Sequence, residues 1–469
     1  MDKSFQFSTL AFKPEIKKAM LANLNLLGYT DMTPIQAKSL PSILKNQDVI
    51  AQAKTGSGKT AAYGIGLLSK LNVKNYHAQV QALVICPTRE LAEQVGKEIQ
   101  RLARFAQNIK LLSLCGGKPF APQKNSLAYG THIVVGTPGR IQDHLSKDTL
   151  NLENVHSLVL DEADRMLDMG FYNDIINIIS NIPKKRQTML FSATFPGSIV
   201  QMSRSIQKRP LNIRVESLHS HNEIEQLFYE IGKSQWDRDK ALIALLAHYQ
   251  PKSTVIFCNT KKQCQEVTMQ LKKKGYYAMA IHGDLEQRDR DLVLLRFANK
   301  SCSILVATDV AARGLDIDNL QMVINYELPK DPKIHIHRIG RTGRAGKKGS
   351  ALSLYTASEQ QKISAIEKIQ NQPCHCDVLN LLDDNGLPSP PSMITVYING
   401  GKKNKMRPGD ILGALTGDIG IPGNQVGKIN IFDFSSYVAL DRKIADKVLK
   451  HLKNSKIKGH QFKVRKLGD

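Results

Sequence analysis

The sequence predicts an α/β chain in three parts: two doubly wound parallel-sheet domains, then a small α+β domain of ferredoxin-like order. Three observations lead there. Short apolar runs alternate with helical patterns from residue 48 to about residue 355, and they fall into two sets. A proline-rich polar stretch, Pro388-Ser389-Pro390-Pro391-Ser392, resists helix and sheet and makes a stiff spacer. The 76 residues beyond it, Ile394 to Asp469, read β-α-β-β-α-β, the split βαβ order. A chain of 469 residues has room for about three domains.

Taken in order, the first set of buried runs is Asp48–Ala53, Ala82–Cys86, Ile133–Gly136, Leu158–Leu160 and Thr188–Phe191. The break falls near Pro210–Glu223, where Ser217-Leu218-His219-Ser220-His221 turns polar. The runs resume at Thr254–Cys258, Tyr277–Ile281, Ile304–Ala307 and Val323–Tyr326. In the tail, strands are expected at Ile394–Asn399, Gly427–Phe432, Ser436–Leu440 and Gln461–Val464, and helices at Pro408–Gly417 and Lys443–Leu452. The expected divisions are therefore residues 1–212, 213–378, a linker at 379–393, and 394–469.

Composition excludes several classes. With 42% hydrophobic and 23% charged residues the chain is not disordered. No run approaches the roughly 18 apolar residues of a membrane helix. Met1 to Leu10 lacks the apolar stretch of a secretory signal, so a cytoplasmic protein is expected. Seven irregularly spaced cysteines make no disulfide framework. Cys374-His375-Cys376 has no second pair at zinc-finger spacing, so no metal is expected there. The net charge of +23 favours a polyanionic partner, most simply nucleic acid. That excess is densest in the tail, which holds 15 Lys and Arg against 6 acidic residues.

The sharpest local signal is Ala53-Lys54-Thr55-Gly56-Ser57-Gly58-Lys59-Thr60, after an apolar strand and before a small-residue helix. Its glycines let backbone wrap closely around phosphate, and the N–H groups of loop and helix start point at it. Lys59 suits the β- and γ-phosphates, and the Thr60 hydroxyl suits Mg²⁺. Ala53 stands where the general phosphate-loop pattern has Gly. About 100 residues on, Asp161-Glu162-Ala163-Asp164 ends the run Leu158-Val159-Leu160. A strand that delivers carboxylates to its carboxyl end puts them at the usual ligand crevice. Asp161 can then hold the hydration shell of Mg²⁺, and Glu162 can activate the attacking water.

Together these two motifs resemble the DEAD-box RNA-dependent ATPases of helicase superfamily 2. The resemblance implies two tandem RecA-like domains, ATP and Mg²⁺ as cofactors, and local separation of RNA duplexes. Gly28-Tyr29-Thr30-Asp31-Met32-Thr33-Pro34-Ile35-Gln36 is similar to that family's adenine motif, with Phe7 or Phe12 as the upstream aromatic. By that likeness Tyr29, Thr33 and Gln36 contact ATP, and the amide of Gln36 pairs with one base edge. The likeness assigns RNA contacts in the first domain to Pro87, Thr88, Arg89, Gly116, Gly117, Thr137, Gly139 and Arg140. Ser192-Ala193-Thr194 resembles the motif that couples hydrolysis to strand separation, and Asp164 is placed in the same coupling set. In the second domain Asn259, Gln287, Arg290 and Thr308 take RNA contacts and Asp316 the ATP ribose. His337-Arg338-Ile339-Gly340-Arg341-Thr342-Gly343-Arg344 resembles the last core motif; His337 belongs to its catalytic set, and Arg341 and Arg344 act as arginine fingers. Hydrolysis would then require the two domains to close around ATP.

The tail resembles the RRM-like C-terminal domain of the DbpA family, through Ile398-Asn399-Gly400-Gly401 and Asp410-Ile411-Leu412-Gly413-Ala414-Leu415-Thr416-Gly417-Asp418. That implies RNA as partner, in particular 23S rRNA and precursors of the large ribosomal subunit. No membrane and no disulfide partner are expected, and a monomer, with a dimer left open. Lys402, Lys403, Lys405 and Arg407 would supply salt-sensitive phosphate contacts. Tyr397, Phe432, Phe434 and Tyr437 lack the usual aromatic signature of an RNA-recognition module, and some of them are expected in the core. The competing readings are a non-catalytic ATP-gated clamp, a DNA translocase and a broad-specificity mRNA-decay helicase. Glu162 with the arginine pair weighs against the first, and Gln36 with Gly116-Gly117 against the second.

Overall fold

The architecture is that of a computed structural model, which describes residues 5–53, 56–73, 78–215, 224–309, 320–343, 348–379, 386–454 and 456–467. The first sheet comprises β1 (Val49–Gln52), β2 (Ala82–Ile85), β3 (Leu111–Leu114), β4 (Ile133–Gly136), β5 (Ser157–Leu160), β6 (Gln187–Ser192) and β7 (Leu211–Arg214). All are parallel, in the order β3-β4-β2-β5-β6-β1-β7. Apolar runs mark its centre because those strands are buried on both faces. Alternate residues feed two cores. Val49, Ala51, Val84 and Phe191 face one, with the helices 34–44, 59–68 and 89–102. Ile50, Leu83, Ile85 and Leu190 face the other, with the helices 138–145, 172–180 and 197–206. Each fully buried Val, Ile, Leu or Phe among them contributes about 1.5–3 kcal/mol.

The second sheet comprises β8 (Ile224–Ile231), β9 (Thr254–Cys258), β10 (Ala278–Ile281), β11 (Ile304–Thr308), β12 (Met322–Asn325), β13 (Gly349–Thr356) and β14 (Cys376–Asp377). It too is wholly parallel, in the order β10-β11-β9-β12-β13-β8-β14. The expected α/β class therefore holds, with more strands than the apolar runs marked. Among the extra ones, β7 exposes all of its residues but Ile213, so no continuous apolar run announces it. It also spans the 212/213 line and pairs with β1. All seven cysteines are free thiols.

The tail folds as a four-stranded antiparallel sheet: β15 (Met393–Ile398), β16 (Val426–Ile431), β17 (Ser436–Asp441) and β18 (Val464–Lys466), ordered β16-β17-β15-β18. Ile394, Val396, Ile398, Val438 and Leu440 pack with Ile411, Leu415, Val448 and Leu452 of the covering helices. The first helix is shorter than its sequence suggests. It runs Pro408–Gly413 and passes into a single wide π turn over Ala414–Asp418. The last strand lies later than expected, at Val464–Lys466 rather than Gln461–Val464.

The small domain is seated against the amino-terminal ends of β10 and β11. Ser301 and Thr395 share a hydroxyl hydrogen bond of 2.7 Å, Asn299 Nδ2 donates to Thr395 Oγ1 at 3.3 Å, and Met393 N donates to Lys300 O at 3.3 Å. Arg442 lies over the Tyr277 ring, 5.0 Å from its centroid, and its Nε donates to Pro391 O at 2.7 Å. Asn299, Ser301 and Thr395 are all buried.

Candidate active site

Three neighbouring strands, β5, β6 and β1, end side by side and deliver Asp161, Ser192 and the glycine loop to one edge. The loop is shaped by its glycines. Gly56 and Gly58 sit at φ +81° and +93°, where a side chain is strained, and a Cβ on Gly58 would lie 2.5 Å from Gln36 Nε2. Lys59 opens the following helix, and its buried ammonium donates to Ala53 O at 3.0 Å. Gln36 braces the loop from outside. Its Nε2 donates to Gly58 O at 3.2 Å while its Oε1 accepts from Thr33 N at 2.9 Å. Tyr29 donates to Glu98 and meets Phe7 edge-to-face at 6.2 Å. Phe7 and Phe12 are both buried in the first core. Lys54 and Thr55 lie outside the described residues.

Asp161 accepts at both oxygens: Oδ2 from the Tyr63 hydroxyl at 2.7 Å, Oδ1 from Glu162 N at 3.0 Å. Burial pushes its carboxyl pKa up, and Lys59 pulls against that rise. Glu162 adopts a left-handed backbone, φ +52°, and its carboxylate forms a buried ion pair with Arg165. Asp164 Oδ2 accepts from both the amide and the hydroxyl of Thr194, each at 2.8 Å, while Ser192 Oγ donates to Thr194 O at 2.7 Å. Burial works against the Asp164 charge, but these bonds from Thr194 leave its pKa below the ordinary value.

The other half of the same edge carries a different set. Strands β2, β3 and β4 are neighbours, and they end at Pro87-Thr88-Arg89, Gly116-Gly117 and Thr137 respectively. Thr88 Oγ1 caps its helix by accepting from Leu91 N at 3.3 Å. The Arg89 guanidinium lies against Gly116, where an added Cβ would stand 3.0 Å from Nη2. Gly139 opens onto free space at the start of the helix 138–145. Arg140 turns inward, its Nη1 donating to Lys118 O and Gln123 Oε1, both at 3.1 Å.

In the second sheet Asn259 and Thr308 stand at the carboxyl ends of neighbouring strands β9 and β11, and Gln287 and Arg290 on the first turn of the helix 287–298. The organiser of this edge is Arg338, which sequence motifs alone did not single out. Its side chain is 1% exposed. It clasps Asp309 with Nε and Nη2 at 2.6 and 2.7 Å, and donates to Asn259 Oδ1 at 2.9 Å, Asn325 Oδ1 at 3.2 Å and Glu327 O at 2.7 Å. Its guanidinium also lies over Phe257, 5.1 Å from the ring centroid. His337 is half-buried and Arg341 buried. Asp316 and Arg344 lie outside the described residues.

Comparison with known proteins decides what this pair of edges belongs to. Residues 33–203 match the DEAD/DEAH box helicase model, 237–346 the helicase conserved C-terminal domain, and 395–466 the DbpA RNA binding domain. The chain is 51% identical over 468 residues to the ATP-dependent RNA helicase DbpA of Escherichia coli K12, covering 98% of this chain and 99% of that one. It is 38% identical to DbpA of Bacillus subtilis 168, covering 96% and 98%. Among solved structures, Saccharomyces cerevisiae Dbp5 bound to RNA and ADP BeF3 matches at TM-score 0.72 and 31% identity, over 80% of this chain and 96% of that one. Mss116p bound to ssRNA and AMP-PNP matches at 0.68 and 30%, over 77% of each chain.

The chain is a DEAD-box RNA helicase of the DbpA family.

As an ATP-dependent helicase of this family, the protein has a cradle that suits a nucleotide with its divalent cation. Ser57 Oγ and Thr33 Oγ1 are buried without a hydrogen-bond partner, one in the loop and one beside it. Lys59 Nζ donates to the carbonyl of Ala53, the residue that opens the loop. The DbpA RNA binding domain presents Lys402, Lys403, Lys405 and Arg407 to solvent on one loop, which is tied to the neighbouring hairpin by Lys402 N→Phe432 O and Lys403 N→Asp433 O, both at 2.9 Å. Its aromatics depart from the expectation of core positions. Asn430, Tyr437, Tyr397 and Arg465 stand in register across all four strands, with Arg465 over Tyr397 at 5.1 Å and the two tyrosine rings 5.5 Å apart. Phe432 and Phe434 are 44% and 70% exposed. Alternation puts this row on the face opposite the helices, a pattern hidden in sequence because each strand contributes one residue.

Proposed function

We propose that the protein hydrolyses ATP with Mg²⁺ in the cradle of the first sheet and uses the cycle to open short duplexes in 23S rRNA during large-subunit assembly. In this reading Lys59 holds the β- and γ-phosphates, the loop amides of residues 53–60 wrap them, and Thr60 and Asp161 hold Mg²⁺, partly through water. Mg²⁺ when bound supplies charge neutralisation on the phosphates. Glu162, released from Arg165, orients the attacking water. Gln36, with Tyr29 and Thr33, selects adenine by exchanging its bond to Gly58 for the base edge. Catalysis also requires Arg341 and Arg344, with His337 and Asp316, from the second sheet's domain. RNA phosphates bind along Thr88, Arg89, Gly116, Gly117, Thr137, Gly139 and Arg140, and along Asn259, Gln287, Arg290 and Thr308. The basic loop and the tyrosine row of the tail anchor the enzyme to a structured rRNA element.

The observation that carries this reading is the Thr194–Asp164 pair. It ties the strand end after β6 to the carboxylate motif after β5, so a change at phosphate is felt at the motif expected to couple hydrolysis to strand separation. Lys59→Ala and Glu162→Gln test it. Both should reduce RNA-stimulated ATP turnover by at least about 10³-fold, on the scale of losing a phosphoryl-transfer group. Binding of an rRNA fragment through the tail should stay within about twofold. Normal turnover by Glu162→Gln would remove the role given to that carboxylate.

A further inference from the structure

Tyr63 is in contact with both groups assigned to Mg²⁺. It lies one turn beyond Thr60 on the helix 59–68 and is wholly buried. Its hydroxyl donates to Asp161 Oδ2 at 2.7 Å and stands 3.5 Å from Thr60 Oγ1. Its ring is fixed against Phe191 of β6, with centroids 5.2 Å apart and planes inclined at 56°. A buried phenol needs a partner for its hydroxyl, and here that partner is a buried carboxylate. An ionised carboxylate offers about four acceptor positions. Tyr63 and Glu162 N take one on each oxygen, which leaves one on each for a hydrated cation. A neutral donor does this without repelling the cation, as an ammonium would.

We propose that Tyr63 is a positioning residue for the divalent cation: its hydroxyl holds the Asp161 carboxylate and the Thr60 hydroxyl as a formed pair of hard oxygen donors before nucleotide and metal arrive. The inference rests on the reading of Asp161 and Thr60 as the cation's partners. Outer-sphere hydrogen bonds of this kind typically change metal affinity 10–100-fold when removed. Phenylalanine fills the same volume, so Tyr63→Phe deletes the hydroxyl and little else.

The test uses the full chain and a fluorescent, non-hydrolysable ATP analogue. Binding is titrated with Mg²⁺ and repeated in EDTA. In Tyr63→Phe the half-saturating Mg²⁺ concentration should rise about tenfold, while affinity in EDTA stays unchanged. Phe191→Leu serves as the packing control: it loosens the ring's bed without touching the hydroxyl, so it should lower the melting temperature and leave the Mg²⁺ midpoint in place. Asp161→Asn should itself raise the midpoint, and combining it with Tyr63→Phe should add nothing further, since both act through one carboxylate. An unchanged midpoint in Tyr63→Phe, with Asp161→Asn raised, overturns the role of Tyr63 alone. An equal rise in Phe191→Leu overturns it too, because packing would then account for the effect. An unchanged midpoint in Asp161→Asn overturns the ligand assignment beneath it.

Discussion

His335 shows how a single residue can carry a measurable signature. It is buried beside Arg338 and stacked on Phe228 with ring centroids 5.6 Å apart, and burial first, then the arginine, lowers its pKa to about 3. Nδ1 lies 3.4 Å from Asn325 Nδ2, and Nε2 lies 3.4 Å from Gln226 Oε1, a pairing that suits the neutral ring with its hydrogen on Nε2. The unfolded chain takes up a proton here near pH 6.5, and the native state refuses it until about pH 3. Above pH 6.5 the residue adds no pH dependence. As pH falls from there, it removes up to about 1.4 kcal/mol of stability per pH unit. Urea unfolding of the full chain and of His335→Gln, between pH 7.5 and 5.5, checks this. The wild-type stability should fall more steeply; parallel curves would contradict it. At this scale the sequence reveals groups whose setting is local. Lys59 and Asp161 follow short apolar strands, so their strand-end places can be read from a few residues. Arg338, Asp309 and Tyr63 are different. Their partners come from other elements, as Arg338 reaches Asn259 and Asn325 and Tyr63 reaches Asp161, so no local spacing names them.

Elements were legible where burial is two-sided. The central strands β2, β4 and β5 are continuous apolar runs because both faces meet cores. Strands β7 and β14 sit at sheet edges, with exposed or half-exposed residues, and their sequences read as loop. The tail helix is cut short at Gly413, and the chain continues as a π turn, which no helical periodicity encodes. The seating of β15 on the strand ends before β10 and β11 was equally invisible, since it rests on four scattered polar side chains. It yields a prediction. Thr395→Val removes the hydroxyl that Ser301 and Asn299 both use, and leaves those buried groups short of a partner. The expected cost is about 1–3 kcal/mol in unfolding of the full chain, against a few tenths for Thr416→Val in the π turn, whose hydroxyl makes a solvent-exposed bond to Leu412 O. Equal effects from the two changes would mean the seam is solvated.

At the scale of the whole molecule, two parallel sheets each gather their motifs along one carboxyl edge, and the tail attaches to the second at the opposite, amino-terminal edge. The net charge of +23 falls most densely on that tail. Binding through it should therefore weaken steeply with salt, as phosphate contacts do. The measurement that tests the central claim is the ATPase rate of the full chain with 23S rRNA and with poly(U), at equal nucleotide concentration and fixed salt. It is repeated for the chain in which Lys402, Lys403, Lys405 and Arg407 are all alanine. The account predicts a preference for rRNA of at least about tenfold in the intact chain, the scale of one or two lost charge-assisted contacts. That preference should collapse in the variant while the poly(U) rate holds. An intact chain that responds equally to both RNAs would contradict the targeting of this helicase to ribosomal RNA.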